Sequence, residues 1–193
     1  MADKEIIIVR SLAESDLGIF SAHRLSSASK QRAIAMTTPA AKQLLSERLF
    51  DLGGTEMDVI CVYAGSSTRE LRHLGKVTKN WRLGGHKITT SACAFLDSKD
   101  FVLLRSVKGN DGDRPVLMTF VGRQRERLLH AGIVASLENS FRNSVAVVAS
   151  GSETFDALSA AFPDIPAELA IRSPVCGYDD SARLELLVES NGR

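Results

Sequence analysis

The sequence predicts a β-rich α+β fold, and three features of the chain support this class. Seven short runs of apolar and β-branched residues alternate with turn-forming segments, which is typical of strands. Helix-start signals occur at only a few positions. The 193 residues are 44% apolar and 24% charged, as in an ordinary globular protein. Because there is no internal repeat and no low-complexity linker, we expect residues 1–193 to form a single domain.

The N-terminal part of the chain predicts two strands followed by a helix. Residues 5–12 (EIIIVRSL) are apolar and β-branched enough to enter a core, and residues 13–18 (AESDLG) carry turn residues. Residues 32–37 (RAIAMT) alternate as a second strand. Thr38 then predicts an N-cap, with Pro39 in the first turn of a helix over AAKQLLSERLF. The Ser-rich stretch before residue 32 is therefore a long loop between two strands.

The remaining elements predict a β-rich body. We expect buried strands at residues 58–64, 101–107 and 115–122, with a turn at KGNDGDR between the last two. Residues 66–87 are too polar for a core element and predict an extended arm or hairpin on the surface. A short helix at 123–130, a strand at 144–149, a helix from its cap Ser152 through Ala161, and a strand at 184–188 complete the order.

Composition also limits the compartment. The longest apolar runs are far shorter than the ~20 residues of a membrane span, and the N-terminus MADKEIII has no signal-peptide layout. Cys61, Cys93 and Cys176 are widely spaced and lie in or beside apolar stretches, which favours reduced, buried thiols over disulfides. We therefore expect a cytoplasmic protein without a membrane partner.

The net charge of +1 conceals a strong local asymmetry. Residues 17–46 contain four bases and no acid, and residues 66–87 contain six bases against the single acid Glu70, a local charge of +5. Residues 150–193 carry three bases against eight acids, a local charge of −5. Local potential steers a phosphate backbone, so this pattern favours a polyanion-binding face. Two basic loops that are merely solvated remain the alternative.

Catalytic and metal-binding motifs are absent from the sequence. There is no phosphate-binding glycine loop, no nucleophile elbow and no zinc-protease motif. The four histidines and Cys93 lack the paired spacings of a zinc site. Asp164 and Glu168 imitate the start of a nuclease motif, but no lysine follows where that chemistry needs one. We expect no cofactor and no metal, and we do not expect an enzyme.

The most informative segment is KNWRLGG, residues 79–85, which holds the only tryptophan. Asn80 and Arg82 are residue types that pair with adenine and guanine in the major groove. Trp81 either anchors this arm in the protein body or meets a ligand. Neighbouring bases are expected to hold the phosphates. The candidate DNA-binding residues are Arg24, Lys30, Arg32, Arg69, Arg72, Lys76, Lys79, Asn80, Trp81, Arg82 and Lys87.

These elements resemble a known DNA-binding family. The segments RSLAESDLGIFSAHR, KVTKNWRLGG and SVAVVASGSETFDALS follow in the order found in the DNA-binding pseudobarrel, in particular the N-terminal effector-binding domain of the restriction endonuclease EcoRII. The resemblance covers residues 6–161. It implies an open seven-stranded pseudobarrel with flanking helices and a C-terminal αβ extension. It also implies two arms, residues 16–30 and 69–87, that grip one major groove of duplex DNA.

The leading hypothesis is therefore sequence-specific binding of double-stranded DNA in a restriction-modification or related defence system. Such a protein would act with a nuclease or methyltransferase domain or subunit. Residues 150–193 would form an acidic C-terminal extension packed on the single domain. Two alternatives stay open: a small Mg-dependent nuclease built from Asp97, Asp100, Asp111 and Asp113, and a module that docks a protein partner through its acidic C-terminal part.

Overall fold

In the described part of the computed structural model, eight strands form one sheet, with one α-helix packed on one face and two on the other. The structure describes residues 5–23, 33–45, 56–63, 69–77, 79–85, 88, 93–106 and 116–162. The strands are β1 (Ile6–Ser11), β2 (Ile34–Met36), β3 (Glu56–Tyr63), β4 (Arg69–Val77), β5 (Asn80–Leu83), β6 (Phe101–Ser106), β7 (Val116–Val121) and β8 (Val145–Ala149). The helices are α1 (Thr38–Leu45), α2 (Arg127–Leu137) and α3 (Glu153–Ser159), with 3-10 helices at Glu14–Ile19, Ser21–His23 and Glu138–Ser140.

The strand order is β2-β5-β4-β3-β7-β6-β1-β8. All neighbours are antiparallel except β3 and β7, which are parallel. The sheet is open, with β2 and β8 at its two edges. The predicted β-rich α+β class is confirmed. The eight described strands are six of the predicted ones together with two formed by residues 69–83, which belong to the sheet itself.

The central strands carry a hydrophobic core on each face. On one face, Ile8, Val102 and Met118 belong to a cluster that also includes residues of α1, β2, β4 and β5. On the other face, Val9 and Leu103 lie in a second cluster with residues of α2 and α3. Strands that are buried on both faces are apolar at successive positions rather than at alternate ones. This explains the continuous apolar runs from which these strands were predicted.

The element boundaries differ from the predicted ones at helix ends. The hydroxyl of Thr37 accepts a hydrogen bond from the backbone N of Ala40 at 3.4 Å, so α1 is capped one residue earlier than predicted. The helix predicted at 123–130 begins at Arg127 and continues to Leu137. The Ser152 cap is confirmed, since its hydroxyl accepts from the N of Phe155 at 3.1 Å.

Several predicted features lie outside the described residues: the turn at 108–114, the strand at 184–188 and Cys176. Cys93, in the described part, is buried and free, as predicted. None of the described helices is long and apolar enough to cross a membrane.

Candidate nucleic-acid interface

The second basic segment forms the β4–β5 hairpin, and this hairpin lies inside the sheet between β2 and β3. The prediction of a hairpin is confirmed, but the expectation that its sequence is too polar for the core is wrong. Leu74, Trp81 and Leu83 are buried in the first hydrophobic cluster. Side chains alternate between the two faces of a strand, so a segment can be basic on one face and fill a core with the other.

Arg82 occupies the middle of the solvent-facing side of this hairpin and is half-buried. Its direct cross-strand neighbours are Gly75 on β4 and Ala35 on β2. Directly opposed residues project from the same face of a sheet. Glycine has no side chain and alanine has only a methyl group. The two residues directly opposite Arg82 therefore leave space beside its side chain. Asn80, two residues away on β5, is exposed on the same face.

Lys76 and Lys79 are exposed near the tip of the hairpin. Lys79 directly precedes Asn80, whereas Lys76 lies opposite Trp81 and therefore projects from the other face of the sheet. Val77 pairs with Asn80 across the tip and is itself exposed. His73, which the sequence analysis did not select, is exposed on β4. Strand alternation places it on the Arg82 face, since it is two residues from Gly75. That alternation is the signal that could have found it.

Trp81 is 2% exposed and belongs to the first hydrophobic cluster. It lies opposite Met36 of β2 and Lys76 of β4. Of the two expectations for this residue, the structure shows the anchor: its indole fixes the hairpin to the body of the protein. A buried indole cannot stack on a base without leaving the core, so Trp81 is not among the contacts proposed below.

Arg72 is also buried, with 1% of its surface exposed. Its Nη2 donates to Oε2 of Glu70 at 2.7 Å, and its Nη1 donates to the carbonyl of Gly84 at 3.4 Å. A Cβ on Gly85, whose φ is +123°, would lie 3.3 Å from the same Nη1. Arg72 therefore ties β4 to the chain leaving β5, and its charge is used inside the protein rather than at the surface.

The thiol of Cys93 lies close enough to the Arg72–Glu70 ion pair for both charges to affect its pKa. Burial raises the pKa of the Cys93 thiol to about 12, while Arg72 lowers it and Glu70 raises it. Desolvation penalises the thiolate, so the thiol is held neutral. Cys93 is a packing residue beneath the hairpin.

The base of the first predicted arm is fixed by Asp16, which has 0% exposure. Its Oδ2 accepts hydrogen bonds from Arg10 Nε at 3.0 Å, from Arg10 Nη2 at 2.6 Å and from the backbone N of Ala13 at 2.9 Å. Its Oδ1 accepts from the backbone N of Ala35 at 3.4 Å. This carboxylate joins β1, the first 3-10 helix and β2.

The first basic segment bonds to Ile88, the residue that directly follows the second basic segment. The N of Ser21 donates to the carbonyl of Ile88 at 2.9 Å, and the N of Ile88 donates to the carbonyl of Ile19 at 2.9 Å. At the other end of the first segment, Ile34 on β2 pairs with Leu83 on β5. The chain therefore enters and leaves residues 24–32 beside the second basic segment.

Four candidate contacts lie outside the described residues, and the side chain of a fifth does too. Arg24 follows directly on His23, Arg32 directly precedes Ala33, and Lys87 directly precedes Ile88, so each is bonded to a described part of this junction. The other two residues are Lys30, within the undescribed 24–32, and Arg69, the first residue of β4.

The balance of described charges differs between the two edges of the sheet, while three further exposed arginines, Arg123, Arg125 and Arg127, lie before or at the start of α2. Residues 33–45, 69–77 and 79–85, at the β2 edge, contain six bases and one acid, and that acid is paired with Arg72. Residues 138–162, at the β8 edge, contain three acids and one base. The excess of bases over acids at the β2 edge favours a positive local potential there, even at a net charge of +1.

Two of the carboxylates considered for a nuclease have structural partners. Oδ2 of Asp97 pairs with Nη2 of Arg123 at 2.8 Å. Asp100 is buried and accepts from the backbone N of Asp97 at 2.8 Å and of Arg123 at 3.1 Å. Asp111 and Asp113 lie outside the described residues. Within the described ranges, no group of three or more His, Cys, Asp or Glu side chains could hold a metal ion.

Comparison with known proteins gives one weak structural likeness to report. No protein-family model matches the chain, and no curated protein matches its sequence. The chain is similar to the N-terminal domain of Helicobacter pylori LlaJI.R1, with a TM-score of 0.40 and 15% sequence identity. The match covers 74% of this chain and 97% of that one.

Proposed function

We propose that the protein binds double-stranded DNA sequence-specifically through two basic arms. The single observation that carries the proposal is the junction of the two basic segments at the β2–β5 edge, where Ser21 meets Ile88 and Ile34 meets Leu83. Two segments that are far apart in sequence, each rich in bases, are thereby brought to one edge of the sheet. A surface of this kind fits the phosphate backbone of a duplex.

The hairpin residues divide into base-reading and phosphate-binding groups. Arg82 stands between two small neighbours, which leaves its guanidinium free to form the paired hydrogen bonds that recognise guanine. Asn80 is exposed on the same face, where it can read adenine. Lys76 and Lys79 at the tip bind phosphates and set the register.

The remaining candidates keep distinct roles in the proposal. Arg72 and Trp81 hold the hairpin in position from below and do not touch DNA. The residues outside the described part complete the two arms as phosphate or groove contacts: Arg24, Lys30, Arg32, Arg69 and Lys87.

The burial of Trp81 in the hairpin favours duplex DNA over single strands as the ligand. Binding of single strands without sequence preference relies on exposed aromatic side chains on which bases stack. Trp81, the one Phe, Tyr or Trp residue between residues 69 and 85, is buried. Among the described hairpin residues, His73 carries the one exposed ring, and the hairpin otherwise offers charge and hydrogen-bond donors.

The biological setting is also part of the proposal. We place the protein in a restriction-modification or related defence system, as the recognition domain or subunit that directs a nuclease or methyltransferase. This setting is supported by the sequence resemblance to the EcoRII domain.

The proposal is tested by the salt dependence of binding to a duplex. If six to nine phosphates are neutralised, the slope of log K against log salt is roughly −5 to −8, from about −0.9 per phosphate. Lys76→Ala should make the slope shallower by about 1, because one phosphate contact is lost. The matched control is Lys99→Ala, which removes an exposed lysine outside both basic segments and should leave the slope unchanged. A slope near zero, or equal effects of the two variants, would refute the electrostatic basis of the proposal.

A further inference from the structure

The solvent-facing side of α2 is uncharged along most of the helix. Leu128 is 92% exposed and Val134 is 42% exposed. Ala131, Gly132 and Ala135 are exposed beside them. The opposite side of the helix carries Ile133 and Leu137, which are buried in the second hydrophobic cluster. A helix that is apolar on both sides is normally buried on both, so the exposed side of α2 favours contact with another protein surface.

The exposed stripe is shaped for close approach of a second helix. Its central residues are Ala131, Gly132 and Ala135, which have little or no side chain. A Cβ added at Gly132 would meet nothing within 4 Å, so the backbone there is open to a neighbour. Leu128 supplies the one large side chain that could fill the space between two such helices.

The two ends of the stripe carry opposite charges. Arg127 is the first residue of α2, and Glu138 directly follows its last residue; both are exposed. They are separated by roughly 16 Å along the axis, at about 1.5 Å per residue. In an antiparallel pair of α2 helices, Arg127 of each copy lies near Glu138 of the other. The surface is thus complementary to itself in charge as well as in apolar character, as a two-fold interface requires.

We propose that the protein forms a homodimer through antiparallel packing of α2 on α2 of a second copy. The helix packs on one face of the central strands, and the β4–β5 hairpin belongs to the cluster on the other face. The dimer therefore leaves the basic junction of each copy free. This inference does not depend on the proposed DNA binding.

Sedimentation equilibrium of the full chain, at protein concentrations from about 1 to about 200 μM, measures the association. The wild-type chain is expected to dimerise, and Ala131→Glu is expected to weaken the dimer at least tenfold, because two carboxylates then meet near the two-fold axis. Leu128→Glu should act in the same way. The matched control is Ala157→Glu, an exposed alanine of α3, which should leave association unchanged. A wild-type chain that stays monomeric at 200 μM would overturn the proposal.

A charge exchange tests the antiparallel orientation. Arg127→Glu and Glu138→Arg should each weaken the dimer, since each places like charges together, and the double variant should restore it. A double variant no stronger than either single variant contradicts the pairing. Circular dichroism confirms that each variant is folded. The monomeric Ala131→Glu chain should keep the wild-type affinity of one protomer for a DNA duplex, if the chain binds DNA at all, so the two proposals fail separately.

Discussion

The guanidinium of Arg10 donates to one carboxylate oxygen of Asp16 through both Nε and Nη2, at 3.0 and 2.6 Å. Arg10 is 7% exposed and Asp16 is 0% exposed. The remaining Arg10 donor, Nη1, reaches the carbonyl of Asn143 at 2.8 Å, beside the start of β8. This ion pair links the edge strand β8 and the central strand β1 to the base of the first arm.

Loss of either member of this pair should destabilise the protein strongly. Asp16→Asn leaves the Arg10 guanidinium buried without its counter-charge, and removing one partner of a buried pair typically costs about 3–5 kcal/mol. Urea denaturation measures the free energy of unfolding. The control is Glu5→Gln, which breaks the more exposed pair between Glu5 and Arg105 and should cost under about 1 kcal/mol. Similar losses in the free energy of unfolding for both variants would show that burial does not make the Arg10–Asp16 pair more stabilising than the exposed pair.

The fluorescence of the single tryptophan reports whether Trp81 touches DNA. Because the indole is buried beneath the hairpin, collisional quenching by acrylamide should be weak in the folded protein and strong after unfolding. Saturating duplex DNA should leave the emission intensity essentially unchanged. Strong quenching by DNA that is absent with a non-binding polyanion would instead indicate stacking of the indole on bases.

Substitution of Arg82 and Lys76 should separate base reading from phosphate binding. Arg82→Ala is expected to cost roughly 1–3 kcal/mol on the preferred site and to relax the preference at one base. Lys76→Ala should weaken specific and random duplexes equally. Fluorescence anisotropy with a matched pair of duplexes measures both. If the two variants lose the same affinity on both duplexes, the division of roles is wrong.

Alkaline pH should reveal the buried thiol. The pKa of Cys93 is raised to about 12 in the folded protein, above the ordinary value of about 8.5 that applies when the chain is unfolded. The unfolded chain therefore loses this proton first, and the contribution to stability is complete below about pH 8.5 and is lost as the pH rises towards 12. Cys93→Ala should show a shallower fall in the free energy of unfolding over this range. An unchanged slope would contradict the raised pKa.

The central strands of the sheet could be predicted because they are buried on both faces. Such strands need apolar residues at successive positions, and this produces a continuous apolar run in the sequence. The hairpin was harder, since its inner positions include Arg72. An arginine at a core position indicates a surface segment until its partner is known. Here the partners of Arg72 are Glu70 on the same strand and the carbonyl of Gly84. Gly84 comes within hydrogen-bond distance of Arg72 only when β4 and β5 are paired.

The sequence selects the candidate residues from local charge, from residue type and from the family resemblance, but it does not predict how they are arranged. Local counts of bases selected both segments, but nothing local indicated that Ser21 would bond to Ile88 or that Gly75 and Ala35 would flank Arg82. These are long-range pairings set by sheet register. Burial likewise decided the role of Trp81, for which the sequence allowed both an anchor and a ligand contact.

Selection from a randomised duplex pool at about 0.15 M salt, followed by sequencing, tests the central claim most directly. The account predicts that the wild-type chain enriches one short motif and that Arg82→Ala loses the preference at a single position of that motif. Absence of any binding, or tight binding without an enriched motif, would contradict sequence-specific recognition through the two arms.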